Sequence, residues 1–276
     1  MLKRLLLVSF VVLLYLIAFM PPTLVQSSQA RPKKFFDDDS VIRSLKKNGI
    51  KYTTKRSVLW IEKGYLADDE IEKFSSLIDR GIIRVEKYLG VPFDKERYKD
   101  DKIHYFIKSG RFASHVYAGY NQRKFRKPIV FLSFVKEKRA PHLHETVHIV
   151  TWDFRSLWIR EGLAIYLNNK LGGYPAFPNF GRDIDDCAKE YLNRNFKYVF
   201  RLIGKNGIPQ FSKALERRVF YYFCGSFVKF FEGEIGIEKF MQIYKAKNTK
   251  KAIVEVTGKK VEEWKKAWLD TLNVQL

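Results

Sequence analysis

Pro141-His142-Leu143-His144-Glu145-Thr146-Val147-His148-Ile149-Val150, followed after seven residues by Trp158-Ile159-Arg160-Glu161-Gly162-Leu163-Ala164-Ile165-Tyr166, is the stretch that organises this chain. Proline suits the first turn of a helix, where its missing N–H is not needed. Leu143, Val147 and Val150 then share one face, and His144 and His148, four apart, share an adjacent one. Two imidazoles at i and i+4 can reach one metal ion, and the glutamate directly after the first histidine then sits where it can take a proton from a metal-activated water. Zinc favours nitrogen and oxygen ligands and keeps a position open when catalytic, so a third protein ligand is required. Glu161 follows His148 after twelve residues, enough for a turn and a second helix running back past the first. Gly162 and Ala164 are small enough for close approach, and Trp158, Leu163 and Tyr166 favour burial. The expectation is one Zn²⁺ held by His144, His148 and Glu161, with Glu145 as general base. A structural zinc, or no metal, remains open on spacing alone.

Outward from this stretch the chain divides into two halves. Upstream, residues 31–49 mix charge runs with Pro and Gly and read as a linker with one short helix. Tyr52 to Lys63, Lys102 to Ile107 and Ile129 to Val135 read as strands. Asp68 to Leu89 carries Ile71, Phe74, Ile78, Ile82, Val85 and Leu89 near helical spacing, stopped by Gly90. Downstream, helices are expected over 157–171, 183–193, 196–204, 214–232, 236–246, 248–256 and Val261 to Leu272. The fold class is therefore α+β: a small, mostly antiparallel N-terminal sheet with a helix, then a mainly helical half carrying the histidine helix. The folded catalytic unit is placed at 50–276.

The composition, 46% hydrophobic and 16% aromatic in 276 residues, supports a packed core and argues against a disordered chain. Lysine and arginine number 51 against 30 acids, a net charge of +21. Such an excess suits anionic surroundings, an envelope polymer or a membrane surface. No zinc finger, helix-turn-helix or RNA-binding signature accompanies it, so no specific nucleic acid is expected. Lys3 and Arg4 precede the uncharged run Leu5 to Met20, ended by Pro21-Pro22, with Ser28-Gln29-Ala30 beyond. Residues 1–30 thus read as a signal peptide or a retained membrane anchor, which places the rest outside the cytoplasm. Cys187 and Cys224 form no metal-binding pair; one disulfide and two buried thiols are equally compatible with the sequence.

HETVH followed by WIREGLAIY resembles the gluzincin metallopeptidases, above all the compact peptidase MA-like branch and more distantly the aminopeptidase N family. The resemblance extends from about residue 52 to 272. It implies a zincin-like fold, zinc bound by His144, His148 and Glu161, Glu145 as base, and a peptide or protein substrate. Ala118-Gly119 is similar to the segment that precedes the motif in those proteins. Tyr222-Phe223-Cys224-Gly225 resembles the Tyr-x-x-Gly helix of the aminopeptidases, which implies Tyr222 as a donor to the oxyanion, with Tyr221 as the alternative. The chain departs from the pattern at Ile165, where thermolysin-like members carry an aspartate that orients a zinc histidine, and it lacks the exopeptidase motif.

Two other readings accompany the hydrolytic one: a non-catalytic basic envelope-binding protein on the same scaffold, and a zinc hydrolase of a non-peptide amide. His142 lies about 200° round the helix from His144 and is expected to point away from the metal, as a surface or first-turn residue. Tyr117 and Tyr120 read as sheet or cleft aromatics. Arg160 reads as a charge beside Glu161. The strand from Ile129 to Val135 is the one expected to pair with an extended substrate.

Overall fold

The computed structural model describes residues 37–117, 128–151, 156–194, 196–205, 207 and 209–275. The leader at 1–30, Ala118-Gly119 and Tyr120 lie outside the described residues. The folded unit begins at Asp37 rather than Ile50. Helix α1 (Asp38–Asn48) is started by Asp37, whose carboxylate accepts from Ser40 N at 3.0 Å. Its acidic first turn and basic last turn oppose the helix dipole favourably. Leu45 is buried, so the charged stretch that reads as a linker supplies a packed element.

The aromatic and β-branched run after it folds as a hairpin, β1 (Ile50–Thr53) and β2 (Ser57–Ile61), not as one strand. Asp79, more than twenty residues away, holds the turn: its carboxylate accepts from Thr54 Oγ1 at 2.7 Å, Ser57 Oγ at 2.9 Å and Arg56 N at 3.3 Å. Then come α2 (Asp68–Leu89), the single turn α3 (Lys95–Tyr98), β3 (Ile103–Ile107), β4 (His115–Val116) and β5 (Ile129–Leu132). The sheet order is β1-β2-β3-β5-β4. Its outer pairs are antiparallel, but both inner pairs, β2 with β3 and β3 with β5, are parallel. The sheet is therefore mixed rather than mostly antiparallel. The crossover through α2 supplies the long connection that a parallel pair requires. The inner strands are covered on both faces and so read as continuous apolar runs, SVLWI, IHYFI and IVFL.

One face of the sheet (Leu59, Ile61, Tyr105, Ile107, Val130, Leu132) packs on Ile71, Phe74, Ile78 and Ile82 of α2. On the other face Trp60, Phe106, Phe131 and His115 form a continuous ring ladder, with centroids 6.1, 5.7 and 4.9 Å apart. The helical half follows: α4 (His142–Thr151), α5 (Leu157–Lys170), α6 (Ile184–Leu192), the single turn α7 (Lys197–Phe200), α8 (Ala214–Ile235), α9 (Ile237–Lys245), α10 (Thr249–Thr257) and α11 (Val261–Thr271). These enclose a second core centred on Trp158, Phe223, Phe227, Phe231 and Trp268. The described residues contain no helix long and apolar enough to cross a membrane. Cys187 and Cys224 are both buried and both free thiols.

Gly162 allows a close approach, but to α8 rather than to α4. A Cβ there would lie 2.5 Å from both Cys224 O and Val228 Cγ2, and one at Gly225 would lie 2.6 Å from Ile165 Cγ2. Each glycine receives the opposing helix. Gly162→Ala is expected to destabilise the protein by about 1–3 kcal/mol through overpacking. Gly233→Ala on the same α8 meets nothing within 4 Å and is expected to be neutral or stabilising. Denaturant unfolding of the two variants against the parent checks the contrast.

Candidate metal centre and its cleft

Helix α4 is fixed to the sheet before it presents anything to solvent. Thr146 Oγ1 donates to His142 O at 2.7 Å and meets Tyr105 Oη of β3 at 2.7 Å, while Tyr98 Oη donates to Ile149 O at 2.8 Å. Leu143 and Val147 are buried. Rotation of the helix is therefore locked, and His144 and His148 project together. Their Nε2 atoms are 3.1 Å apart. Glu161 Oε2, from α5, lies 3.4 Å from the first and 3.5 Å from the second.

This triangle supports a fit test for a metal. Three ligands on a tetrahedral zinc with bonds of about 2.0–2.1 Å have donor atoms about 3.3–3.4 Å apart. The observed edges of 3.1, 3.4 and 3.5 Å match. Two imidazoles and one carboxylate are also the donor chemistry that zinc accepts. Glu145 lies in the same cluster, with His144, His148 and Glu145 offering ligand atoms within 4.8 Å of one another. The tighter triangle favours Glu161 as third ligand and leaves Glu145 beside it. The Glu145 side chain has no hydrogen-bond or ion-pair partner among the described residues, and it opens onto the cleft.

Electrostatics within the cluster agree with a cation-binding role. Burial pushes the Glu161 carboxyl up, but the neighbouring His148 and His144 outweigh it and hold the group well below the usual carboxylate range. Burial pushes His144 down, and its contact with Glu161 overcomes this and raises it. Arg160 is the orienting partner. Its Nε and Nη2 donate to Glu161 Oε1 at 3.1 and 2.8 Å, which leaves Oε2 facing the histidines. The Nδ1 atoms of His144 and His148 are buried without a hydrogen-bond partner among the described residues. Ile165, where an orienting aspartate is expected from the resemblance, is a buried core side chain facing Gly225.

The cluster lines a cleft of about 680 Å³. His115 and Val116 of β4 and the following Tyr117 line it. The strand expected to pair with substrate, β5, is instead hydrogen-bonded on both sides, to β3 and to β4. Among the described residues β4 is an edge strand, and its His115 and Val116 line the cleft. The cleft is also lined by Phe177 and Phe180 in the loop after α5 and by Arg217 and Tyr221 on α8.

Of the two tyrosines weighed from the sequence, Tyr222 does not reach this cleft. It is buried and packs on Tyr191, with ring centroids 5.5 Å apart. Tyr221, one residue earlier and so about 100° round the helix, lines the cleft, and its hydroxyl has no hydrogen-bond partner among the described residues. Burial pushes the Tyr221 phenol above its ordinary value, and the Glu161 carboxylate adds to this. His142 points away from the cluster but is buried rather than a surface residue. It packs edge-on against Tyr174 and Phe74, and burial pushes it down to about 4. Tyr117 lines the cleft and donates to Asp39 Oδ1 at 3.0 Å.

Sequence reasoning missed Tyr244, Arg139, Arg217 and His115. Tyr244 meets Thr151 Oγ1 at 3.0 Å and lines the cleft from α9, where a helical aromatic reads as core. His115 lies on a two-residue strand and is held by Asp38 Oδ1 at 3.0 Å. The scarcity of histidine, five in the chain, was the only signal for it. Neither a scan against protein-family models nor a search of curated proteins returns a match for this chain.

Arg160→Gln is expected to weaken zinc binding about 10- to 100-fold by freeing Glu161 to turn. Chelator competition on the full chain reads this out. Unchanged affinity would show that Arg160 does not orient the carboxylate.

Proposed function

We propose that the protein is a zinc-dependent metallopeptidase of the gluzincin kind, acting outside the cytoplasm on a peptide or protein substrate. The observation that carries this reading is the triangle of His144 Nε2, His148 Nε2 and Glu161 Oε2, with edges of 3.1 to 3.5 Å, beside Glu145, which has no partner among the described residues, in a cleft. His144, His148 and Glu161 would hold the ion. Bound zinc supplies Lewis acidity and makes water a better nucleophile near neutral pH.

The chain's own groups have distinct tasks. Glu145 takes a proton from the attacking water as its oxygen bonds to the scissile carbonyl carbon, and returns it to the nitrogen as the C–N bond breaks. Because it lines the cleft, Tyr221 rather than Tyr222 is assigned as the donor to the developing oxyanion. Arg160 holds Glu161 in position. β4 offers the edge along which an extended backbone can lie. The basic export-type N-terminus and the net charge of +21 support an extracytoplasmic, anionic setting.

The full chain, purified in detergent and loaded with zinc, is expected to cleave members of a broad peptide library. Glu145→Gln is expected to keep zinc and lose at least about 100-fold in rate. Tyr221→Phe is expected to lower kcat by about 100-fold, whereas Tyr222→Phe leaves kcat unchanged. Cleavage that persists in Glu145→Gln sinks the mechanism. Absence of any proteolysis, together with salt-sensitive binding to an anionic polymer, favours the non-catalytic envelope protein instead.

A further inference from the structure

The cleft carries a charge imbalance that hydrolysis alone does not require. Among the described residues its carboxylates, Glu145 and Glu161, both belong to the candidate metal centre. The guanidiniums among the described residues that line it are those of Arg139, Arg160 and Arg217. Arg160 is committed to Glu161. Arg139 and Arg217 have no carboxylate partner among the described residues.

Arg217 sits in the first turn of α8, where the helix dipole disfavours a cation. The acid beside it, Glu216, is turned away and accepts from Ser212 Oγ at 2.9 Å and Tyr198 Oη at 3.0 Å. Arg139 and Arg218 lie over the Phe180 ring at 4.7 and 5.7 Å, and Arg218 also lies 5.7 Å from the Phe177 ring. Stacking on an aromatic face fixes the plane of a guanidinium and leaves its N–H edge free for a carboxylate. The cleft wall of Phe177 and Phe180 is thus an aromatic surface with the Arg139 guanidinium held over Phe180, and Arg217 lines the same cleft.

Resting on the peptidase reading above, we propose that this wall selects an acidic substrate: a peptide with an aspartate or glutamate side chain close to the scissile bond, bound by Arg217 and Arg139 against Phe177 and Phe180. A carboxylate there receives charge-assisted, bidentate hydrogen bonds, and a neutral amide of the same shape does not. The selection acts on substrate binding, so it falls on KM more than on kcat.

The test uses the zinc-loaded full chain in detergent and a quenched fluorescent peptide set. Each of the three positions on either side of the centre is in turn Glu, Gln or Lys. At one position at least, Glu is expected to exceed Gln in kcat/KM by about tenfold or more, through KM. Arg217→Glu and Arg139→Glu are expected to abolish or reverse the preference in favour of Lys. Both side chains are exposed, so folding is expected to survive. The same peptides are titrated by fluorescence anisotropy into Glu145→Gln. Hydrolysis without charge preference overturns the acidic-substrate proposal and leaves the peptidase reading intact. No hydrolysis, but Glu-selective binding that Arg217→Glu removes, overturns the peptidase reading and supports the cleft assignment. No Glu-selective binding overturns the assignment outright. So does a result in which the arginine variants lose affinity for phosphatidylglycerol vesicles but not for acidic peptides.

Discussion

Two imidazole nitrogens 3.1 Å apart, with a carboxylate oxygen 3.4 and 3.5 Å from them, cannot all present lone pairs to one another. Something positive must lie among them, a proton or a metal ion. That electrostatic demand explains why the surrounding structure is so constrained. The Tyr105–Thr146 contact and the Tyr98 hydrogen bond fix the rotation of α4. The interlocked Gly162 and Gly225 press α5 onto α8, and so set where Glu161 stands. Arg160 then takes one oxygen of Glu161 and leaves the other for the histidines.

Much of this centre was legible in the sequence because it depends on local periodicity. The i, i+4 spacing of His144 and His148 fixes their shared direction once the helix forms, and Leu143 and Val147 show which face is buried. Glu161 could be named because a short connection between helices leaves few places for the second one. The long α2 was legible to its last residue, since its apolar stripe ends at a glycine in the left-handed region. Long-range pairing was not legible. The hairpin turn at Thr54 to Ser57 is stabilised by Asp79, and the parallel inner strands depend on a crossover that no single strand announces. Tyr221 and Tyr222 are adjacent, and only the seating of α8 against α5 and α6 decides which faces the cleft. The short helix in the charge run around Asp38 was legible, but its packing onto the folded unit was not, because its single deep anchor is Leu45.

The cleft also separates global from local electrostatics. A chain with a net charge of +21 carries many surface cations, most of them plain solvated side chains. Arg139 and Arg217 differ in position: one is stacked on an aromatic ring, the other stands at a helix start that disfavours it, and both border the candidate metal centre. The overall charge suits an anionic environment, whereas these two residues bear on what enters the site.

The central claim is that one metal ion is shared by His144, His148 and Glu161. Diffraction from crystals of the zinc-loaded full chain, collected on both sides of the zinc absorption edge, tests it most directly. The account predicts a single anomalous peak about 2.0–2.1 Å from His144 Nε2, His148 Nε2 and a Glu161 oxygen. No peak there, or a peak that Glu161 does not ligate, contradicts it.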